Sequence, residues 1–245
     1  MAAISPVSVG VLGRAARKPL CVDLFCGLGG WAEGFLAEGY DVIGFDVERH
    51  CYGLEAYPGV LILQSVLDLH GRMFKGASCI VASPPCQEFS YMAMPWSRGK
   101  QIAAALRGQG EFPAGYTGSR TVGELRSLFD ACFRIQREAA GRHIPMVVEN
   151  VRGAIPWVGR SAWNYGAWHL WGDVPALMPF ATESKEALGM GTYVPGGTAH
   201  RNYSSKSPER KAASAQIAKI PFPLASHIAR VYKPLASDPG SDYTK

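Results

Sequence analysis

The sequence predicts an α/β protein of the Rossmann-like class, built on a mostly parallel sheet. Short apolar runs recur along the first 150 residues, and each ends at glycines, prolines or polar residues, as buried parallel strands do. The first run is followed by a glycine turn and an amphipathic helix, which is how a Rossmann-like unit begins. A length of 245 residues with 47% apolar residues suits one sizeable domain with a small appendage.

The predicted elements alternate between strand and helix. The strands are Leu20–Cys26, Asp41–Asp46, Val60–Gln64, Ser78–Ala82 and Ile144–Val151, and the helices run from the glycine turn to Glu38 and over Thr121–Ala140. Gly39 is placed to end the first helix. In open sheets of this kind, ligands bind at the carboxyl ends of the strands, so functional side chains are expected at that edge.

Composition and charge exclude some classes of protein. No apolar run approaches the length of a membrane span, and residues 1–18 lack the apolar segment of a signal peptide, so we expect a cytoplasmic protein. The 6 cysteines show no paired or zinc-like spacing, which favours reduced thiols and predicts no metal site. A net charge of +5 allows an anionic partner such as nucleic acid without requiring one.

The glycine turn and the acid after the second strand form the first candidate site. Gly27, Gly29 and Gly30 follow the first strand, where missing side chains let a cofactor approach the backbone and the helix N-terminus. Asp46 ends the second strand 23 residues after Asp23, close to the spacing of a carboxylate that binds a ribose hydroxyl. The alternative for Asp46 is a helix N-cap.

The second candidate site is the segment Pro84-Pro85-Cys86. The two prolines end the fourth strand and stiffen the backbone, which places Cys86 at the edge of a cleft, a suitable position for a nucleophile. The alternative is a small buried hydrophobic residue, as most cysteines are. Asp68 lies just past the third strand, on the same edge of the sheet.

Glu149 and Asn150 end the apolar fifth strand on that edge. Glu149 is therefore a candidate acid or hydrogen-bonding group, and the alternative is a cap for the next segment. Between Cys86 and Glu149, the sequence of residues 91–120 predicts a long loop with basic and aromatic residues, with a brief helix only at Gln101–Leu106. Such a loop either closes over a polyanion or is an unstructured insertion.

Shifts in composition along the chain predict a domain organisation with five parts. They are a flexible leader over 1–18, a main domain over 19–160 that carries the candidate sites, a small region over 161–212, a helix over 213–233 that returns to the main domain, and a tail over 234–245. Trp157, Trp163, Trp168 and Trp171 are expected to form a small core. Residues 193–211, with Arg201, are expected to form a contact surface.

Taken together, these motifs resemble those of the DNA cytosine-5 methyltransferase family. The matching segments are Asp23–Gly30, Pro84–Ser90 and Glu149–Val151, whose order and spacing are shared over about 130 residues. The resemblance implies that residues 19–160 are the catalytic cofactor-binding domain and residues 161–212 a small target-recognition region. The compactness of the chain suggests a phage, prophage or mobile-element source and a restriction-modification context.

The resemblance implies S-adenosylmethionine as cofactor and double-stranded DNA as substrate, with the chain acting as a monomer. Cys86 would add to C6 of a flipped cytosine and thereby make C5 nucleophilic, and Glu149 would engage N3 with a raised pKa. Phe25 would lie against the adenine, Asp46 would hold the ribose and Asp68 would meet the adenine amino group. The full set of implied cofactor contacts is Asp23, Phe25, Gly27, Leu28, Gly29, Asp46, Asp68 and Pro84, and that of substrate contacts is Gln87, Ser90, Asn150, His169 and Arg201.

Two positions depart from the family pattern. His169 stands where the family carries an arginine. Lys219 stands where the last motif carries Gly-Asn, and would face the cofactor's carboxylate or, alternatively, an additional acidic group on the cofactor. Two other functions stay open beside the DNA reading: the same chemistry on RNA, and a non-catalytic nucleic-acid-binding relative of the fold.

Overall fold

The computed structural model describes residues 17–50, 56–89, 95–139, 141–179 and 207–234. The strands are β1 (Leu20–Leu24), β2 (Asp41–Asp46), β3 (Val60–Leu63), β4 (Cys79–Ala82), β5 (Met146–Asn150), β6 (Trp163–Tyr165) and β7 (Trp168–Gly172). The helices are α1 (Gly30–Ala37), α2 (Trp96–Leu106), α3 (Val122–Glu138), α4 (Ile155–Val158), α5 (Pro208–Ala218) and α6 (Phe222–Val231). Short 3-10 turns cover Val66–Asp68, Gly71–Phe74 and Arg152–Ala154.

The sheet is mostly parallel and Rossmann-like, as predicted. Its seven strands lie in the order β3-β2-β1-β4-β5-β7-β6. The first five pair in parallel, whereas β7 is antiparallel to both β5 and β6. The order reverses between β1 and β4, and this is the position at which open α/β sheets bind their ligands.

Helices cover both faces of the sheet. On one face, α3 buries Leu125, Phe129 and Ile135 against Val22, Ile80 and Val148. On the other, α1 and α6 bury Phe35, Leu224 and Ile228 against Val42, Val81 and Val147. The strands β4 and β5 are therefore buried on both faces, which explains their continuous apolar sequence.

Local sequence explains where the main helices begin. Thr121 and Glu124 form a reciprocal capping box at the start of α3. At α1, Gly29 adopts φ 81°, a left-handed backbone that few other residues tolerate. Gly34 allows close packing of α1 on α6, since a Cβ there would lie 2.4 Å from that of Ala225.

The clustered tryptophans differ from the prediction. Trp163 and Trp168 belong to a hairpin, β6–β7, that extends the main sheet through pairing with β5, and the boundary predicted at residue 161 stays a prediction. The physical reason for the hairpin is a two-residue turn that begins with Gly166 at φ 58°, flanked by aromatic residues that favour strands. The remaining domain division also stays a prediction.

The predicted loop over 91–120 is also more ordered than expected in its described part. A helix of 11 residues, α2, replaces the brief helix predicted at Gln101–Leu106. Among the described residues, no helix has the length and apolarity to cross a membrane.

Candidate active site

The carboxyl ends of β1, β2, β4 and β5 lie at one edge of the sheet, because these strands run in parallel. The glycine turn follows β1, Asp46 ends β2, the Pro-Pro-Cys turn follows β4, and Glu149 and Asn150 end β5. The fold therefore brings together four segments that are separated by up to about 130 positions in the sequence.

In the glycine turn, the space beside the backbone is empty at one residue and occupied by other atoms at another. Gly27 has φ 50°, and a Cβ built there would have no atom within 4 Å, so its backbone faces free space. At Gly29, by contrast, a Cβ would lie 2.5 Å from Pro58 Cδ. Gly27 is thus suited to admit a ligand, whereas Gly29 is required for packing and for the turn itself, and its predicted ligand contact stays a prediction.

Asp46 holds the glycine turn through its carboxylate. Its Oδ2 accepts a hydrogen bond from the Gly27 amide at 3.0 Å, its Oδ1 accepts from the Val47 amide at 2.8 Å, and His50 Nε2 lies 3.4 Å from Oδ2. Burial alone would raise the pKa of the Asp46 carboxyl, but the bonds from His50 and the two amides outweigh it and lower the pKa. Asp46 is therefore an ionised acceptor beside the open face of Gly27.

Phe25 and Leu28 lie in the same turn. Phe25 has φ 56°, an uncommon backbone conformation for a residue with a side chain, and its ring is half-buried against the core. Leu28 is half-buried. Asp68 is exposed in the 3-10 turn that follows β3, at the outer strand of the sheet.

Asp23 lies in β1, before the glycine turn. Its side chain is fully buried within β1, and its Oδ2 accepts a hydrogen bond from the Tyr57 hydroxyl at 3.0 Å. Its Oδ1 has no hydrogen-bond partner among the described residues. Burial raises the pKa of this carboxyl well above its usual range, against the opposing effect of Tyr57. Asp23 thus lies buried beside Tyr57, one residue before the end of β1, and its predicted contact with the cofactor stays a prediction.

The Pro-Pro-Cys turn is tied directly to the end of β5. Asn150 Nδ2 donates to the Pro84 carbonyl at 2.9 Å, and Asn150 Oδ1 accepts from the Val151 amide at 2.9 Å. Asn150 is 1% exposed and joins the two turns, and its predicted contact with substrate stays a prediction. Pro84 is likewise buried, with its carbonyl bound by Asn150, and its predicted contact with the cofactor also stays a prediction.

Cys86 and Glu149 are held on neighbouring strands by this arrangement. Cys86 is half-buried and lies two residues beyond the carbonyl that Asn150 binds. Glu149 is 8% exposed and follows Val148, which pairs with Ala82 of β4. The two side chains therefore start from adjacent segments at one edge of the sheet, in surroundings that exclude most solvent.

His169 lies on β7, opposite Asn150 of β5. Its Nδ1 is 3.0 Å from Ser161 Oγ. Burial lowers the pKa of the imidazole, and the charge of Arg152 lowers it further, so His169 is a neutral group at the position where the family carries a cation. Arg152, which directly follows Glu-Asn-Val, was not singled out from the sequence.

Lys219 meets the start of α1 from the C-terminal part of the chain. Its Nζ lies 2.5 Å from Glu33 Oε1, in the first turn of α1. The next residue, Ile220, packs so closely on Gly30 that a Cβ at Gly30 would lie 2.6 Å from the Ile220 nitrogen. Lys219 thus stands at the helix end beside the glycine turn, with its charge balanced by Glu33.

Gln87 and Glu88 follow Cys86 on the surface, and sequence analysis missed the role of Glu88. Its Oε1 accepts hydrogen bonds from the Ser119 amide at 2.7 Å and the Tyr116 hydroxyl at 2.9 Å, and its Oε2 accepts from Ser119 Oγ at 2.8 Å. No sequence motif links these residues. Ser90 and Arg201, both predicted substrate contacts, lie outside the described residues.

Comparisons with known proteins identify no family. No family model and no curated protein matches the chain. Several solved structures match part of the chain.

The Dnmt2 methyltransferase of S. pombe matches with 15% identity and a TM-score of 0.37, over 58% of this chain and 37% of that one. A mutant DNMT2 of Spodoptera frugiperda matches with 17% identity and a TM-score of 0.32, over 58% of this chain and 38% of that one. The methyltransferase EhMeth of Entamoeba histolytica matches with 13% identity and a TM-score of 0.34, over 58% and 41%. The chain thus spans well under half the length of these three proteins. Structural similarity this weak supports no statement about the activity of the chain.

Proposed function

We propose that this protein transfers a methyl group from S-adenosylmethionine to C5 of cytosine in DNA, through a transient covalent bond between Cys86 Sγ and C6 of the base. One observation carries the proposal. The hydrogen bond from Asn150 to the Pro84 carbonyl joins the turn of Cys86 to the strand end that holds Glu149. Cys86 and Glu149 thereby lie on adjacent segments beside the open glycine turn, which supports the proposed roles of nucleophile and acid.

The residues at the glycine turn fit the cofactor. Gly27 leaves the backbone open, and the ionised Asp46 carboxylate beside it can accept hydrogen bonds from ribose hydroxyls. Phe25 would contribute an aromatic face to the adenine, and Asp68 an acceptor for its amino group. When bound, S-adenosylmethionine supplies the methyl group as an electrophilic carbon on a sulfonium.

The chain's own residues prepare the cytosine for this transfer. Cys86, as a thiolate, adds to C6 while Glu149 donates a proton or hydrogen bond to N3, so that electron density moves to C5. Glu149 is 8% exposed, so little water competes with the base for its carboxyl group. After C5 is methylated, loss of the C5 proton and cleavage of the Sγ–C6 bond release Cys86.

The target base has to leave the stack to reach these groups. In a duplex, flipping costs about a few kcal/mol, which contacts between the protein and the nucleic acid must offset. Several cations on the segments that adjoin Cys86 and Glu149 in the chain support an anionic partner. They lie on α2, on the segment after it, and after β5, and are Arg98, Lys100, Arg107, Arg120 and Arg152.

The test is a labelled-methyl assay combined with a covalent trap. Wild type should transfer labelled methyl groups to duplex DNA, and DNA containing 5-fluorocytosine should form an adduct that resists denaturation, because fluorine at C5 blocks release. Cys86→Ala should abolish both results, and Glu149→Gln should reduce transfer by at least about 100-fold. Cys132→Ala, a buried cysteine of α3 away from this edge, is the control that should retain transfer.

The same assay separates the alternative functions. Transfer to transfer RNA but not to duplex DNA would favour the RNA alternative. Binding of either nucleic acid with no transfer and no adduct would leave a non-catalytic binding protein. Bisulfite sequencing of DNA from cells that express wild type or Cys86→Ala would reveal the methylated sequence, and identical unmethylated patterns would contradict the proposal.

A further inference from the structure

A second cavity adjoins the candidate active site. It has a volume of about 260 Å³ and lies between the turn that carries Cys86 and helix α2. Gln87 and Glu88 line one side, and residues 115–118 and Trp157 line others. Since Gln87 directly follows Cys86 and Trp157 belongs to α4, just after β5, the cavity contacts both segments of the candidate site.

The walls combine apolar side chains with two aromatic rings, and two arginines outside the lining lie over these rings. Ile102 and Leu106 of α2 are aliphatic, and Tyr116 and Trp157 present rings. Each ring carries a guanidinium, because Arg107 lies 4.4 Å from the Trp157 ring centre and Arg120 lies 5.4 Å from that of Tyr116. Aromatic faces together with arginines suit a flat heterocycle attached to an anionic backbone.

The aromatic wall is held in place from the nucleophile turn. Glu88 binds the Tyr116 hydroxyl and both the amide and the hydroxyl of Ser119. Gly118 is required for this contact, since a Cβ there would lie 2.3 Å from Glu88 Oε1. Phe112 stacks on Tyr116 with ring centres 5.2 Å apart and planes 3° from parallel. The ring of Tyr116 is therefore preorganised relative to Cys86.

The size limits what the cavity can hold. Pockets for drug-sized ligands have roughly 300 to 1,000 Å³, so this cavity suits a single small ring system. Neither the glycine turn nor the Cys86–Glu149 edge needs it for the chemistry proposed above.

We propose that this cavity binds one unpaired nucleobase next to the target cytosine in the same strand. The base would stack on the aromatic wall, while Arg107 and Arg120 meet the neighbouring phosphates. The inference rests on the proposed function, because it takes the anionic partner to be the nucleic acid substrate. It implies that the preferred substrate releases the neighbouring base as well as the target, as single strands and mismatched duplexes do most readily.

The experiment uses the full-length protein and an oligo(dC) strand with one internal 2-aminopurine, whose fluorescence falls when the ring stacks on an aromatic side chain. Wild type should quench this fluorescence on binding. Tyr116→Ala, which removes the ring, and Ala103→Leu, which fills the cavity from α2, should weaken binding by about 5-fold to 150-fold, the range that stacking of one base carries. Tyr116→Phe keeps the ring and should still quench.

Ala104→Leu is the matched control, because it adds the same side chain at the next position of α2, which does not line the cavity, and it should bind like wild type. Equal binding and quenching by wild type and a folded Ala103→Leu would overturn the inference. If Tyr116→Ala loses its thermal transition, Ala103→Leu decides alone. Methyl transfer without dependence on the cavity would overturn the inference only, whereas cavity-dependent quenching without transfer would overturn only the proposed function.

Discussion

Replacing Asn150 with alanine should destabilise the fold by about 2 to 4 kcal/mol. The side chain makes two hydrogen bonds of 2.9 Å, to the Pro84 carbonyl and from the Val151 amide, and it is 1% exposed. Two hydrogen bonds together contribute about 1 to 3 kcal/mol, and a buried carbonyl left without a donor costs about 1 kcal/mol more, at the lower end of its range. Pro84 is buried, so water cannot readily replace the lost donor.

Urea unfolding followed by tryptophan fluorescence measures this loss. With a total stability of about 5 to 15 kcal/mol, typical of such domains, most of the variant should remain folded in buffer. Its methyl transfer should nevertheless fall by about 100-fold, because the turn of Cys86 is no longer fixed against β5 and small misplacements of reacting groups are costly.

Asn150→Asp provides the control for this prediction. An aspartate keeps the acceptor for the Val151 amide but places an oxygen against the Pro84 carbonyl, so its defect should shrink at acid pH, where a protonated carboxyl can donate. A loss of stability below about 0.5 kcal/mol for Asn150→Ala would refute the assigned role of this side chain.

Three further predictions concern other parts of the fold. Asp46→Asn should weaken binding of S-adenosylmethionine by about 10-fold to 150-fold in calorimetry, since hydrogen bonds to a charged acceptor are worth about 1.5 to 3 kcal/mol, and unchanged affinity would contradict the ribose role. Because the pKa of Asp23 is raised in the folded state, its contribution to stability is full below its ordinary pKa of 3.8 and falls as the pH rises above that value. Urea titrations at several pH values should show this fall, up to about 1.4 kcal/mol per pH unit, in wild type and not in Asp23→Asn. Gly34→Ala should lose about 1 to 3 kcal/mol by overpacking against Ala225, whereas the helical control Gly123→Ala, with no atom closer than 3.8 Å, should lose nothing in thermal unfolding.

The parallel part of the sheet could be predicted because its signals are local. Each of β1, β2, β4 and β5 is an apolar run that stops at a polar or glycine-rich turn, and Gly39 ends α1 at φ 85° as predicted. The β6–β7 hairpin was missed since its only turn signal is the single Gly166 within a segment rich in aromatic residues. The strand that pairs with this hairpin, β5, is not adjacent to it in the sequence. The clustered tryptophans therefore suggest a separate core when only the sequence is considered.

The candidate site was predictable at the level of segments and less so at the level of side chains. Parallel pairing brings Cys86 and Glu149 to one edge without any further information. Whether a polar side chain faces the cleft depends on what covers it. Tyr57 over Asp23, Pro58 over Gly29 and the internal bonds of Asn150 are contacts between distant segments that no spacing rule encodes.

The close crossing of α1 and α6 determines when the ligand site can form during protein synthesis. Gly34 meets Ala225, and the backbone of Ile220 lies on Gly30, where the glycine turn ends and α1 begins, so an early and a late segment of the growing polypeptide are in contact. Domains begin to assemble during synthesis, from the N-terminal end. A nascent chain in which β1 to β5 have left the ribosome but α6 has not would lack this contact. Affinity for a ligand at Gly27 should therefore appear only late in translation.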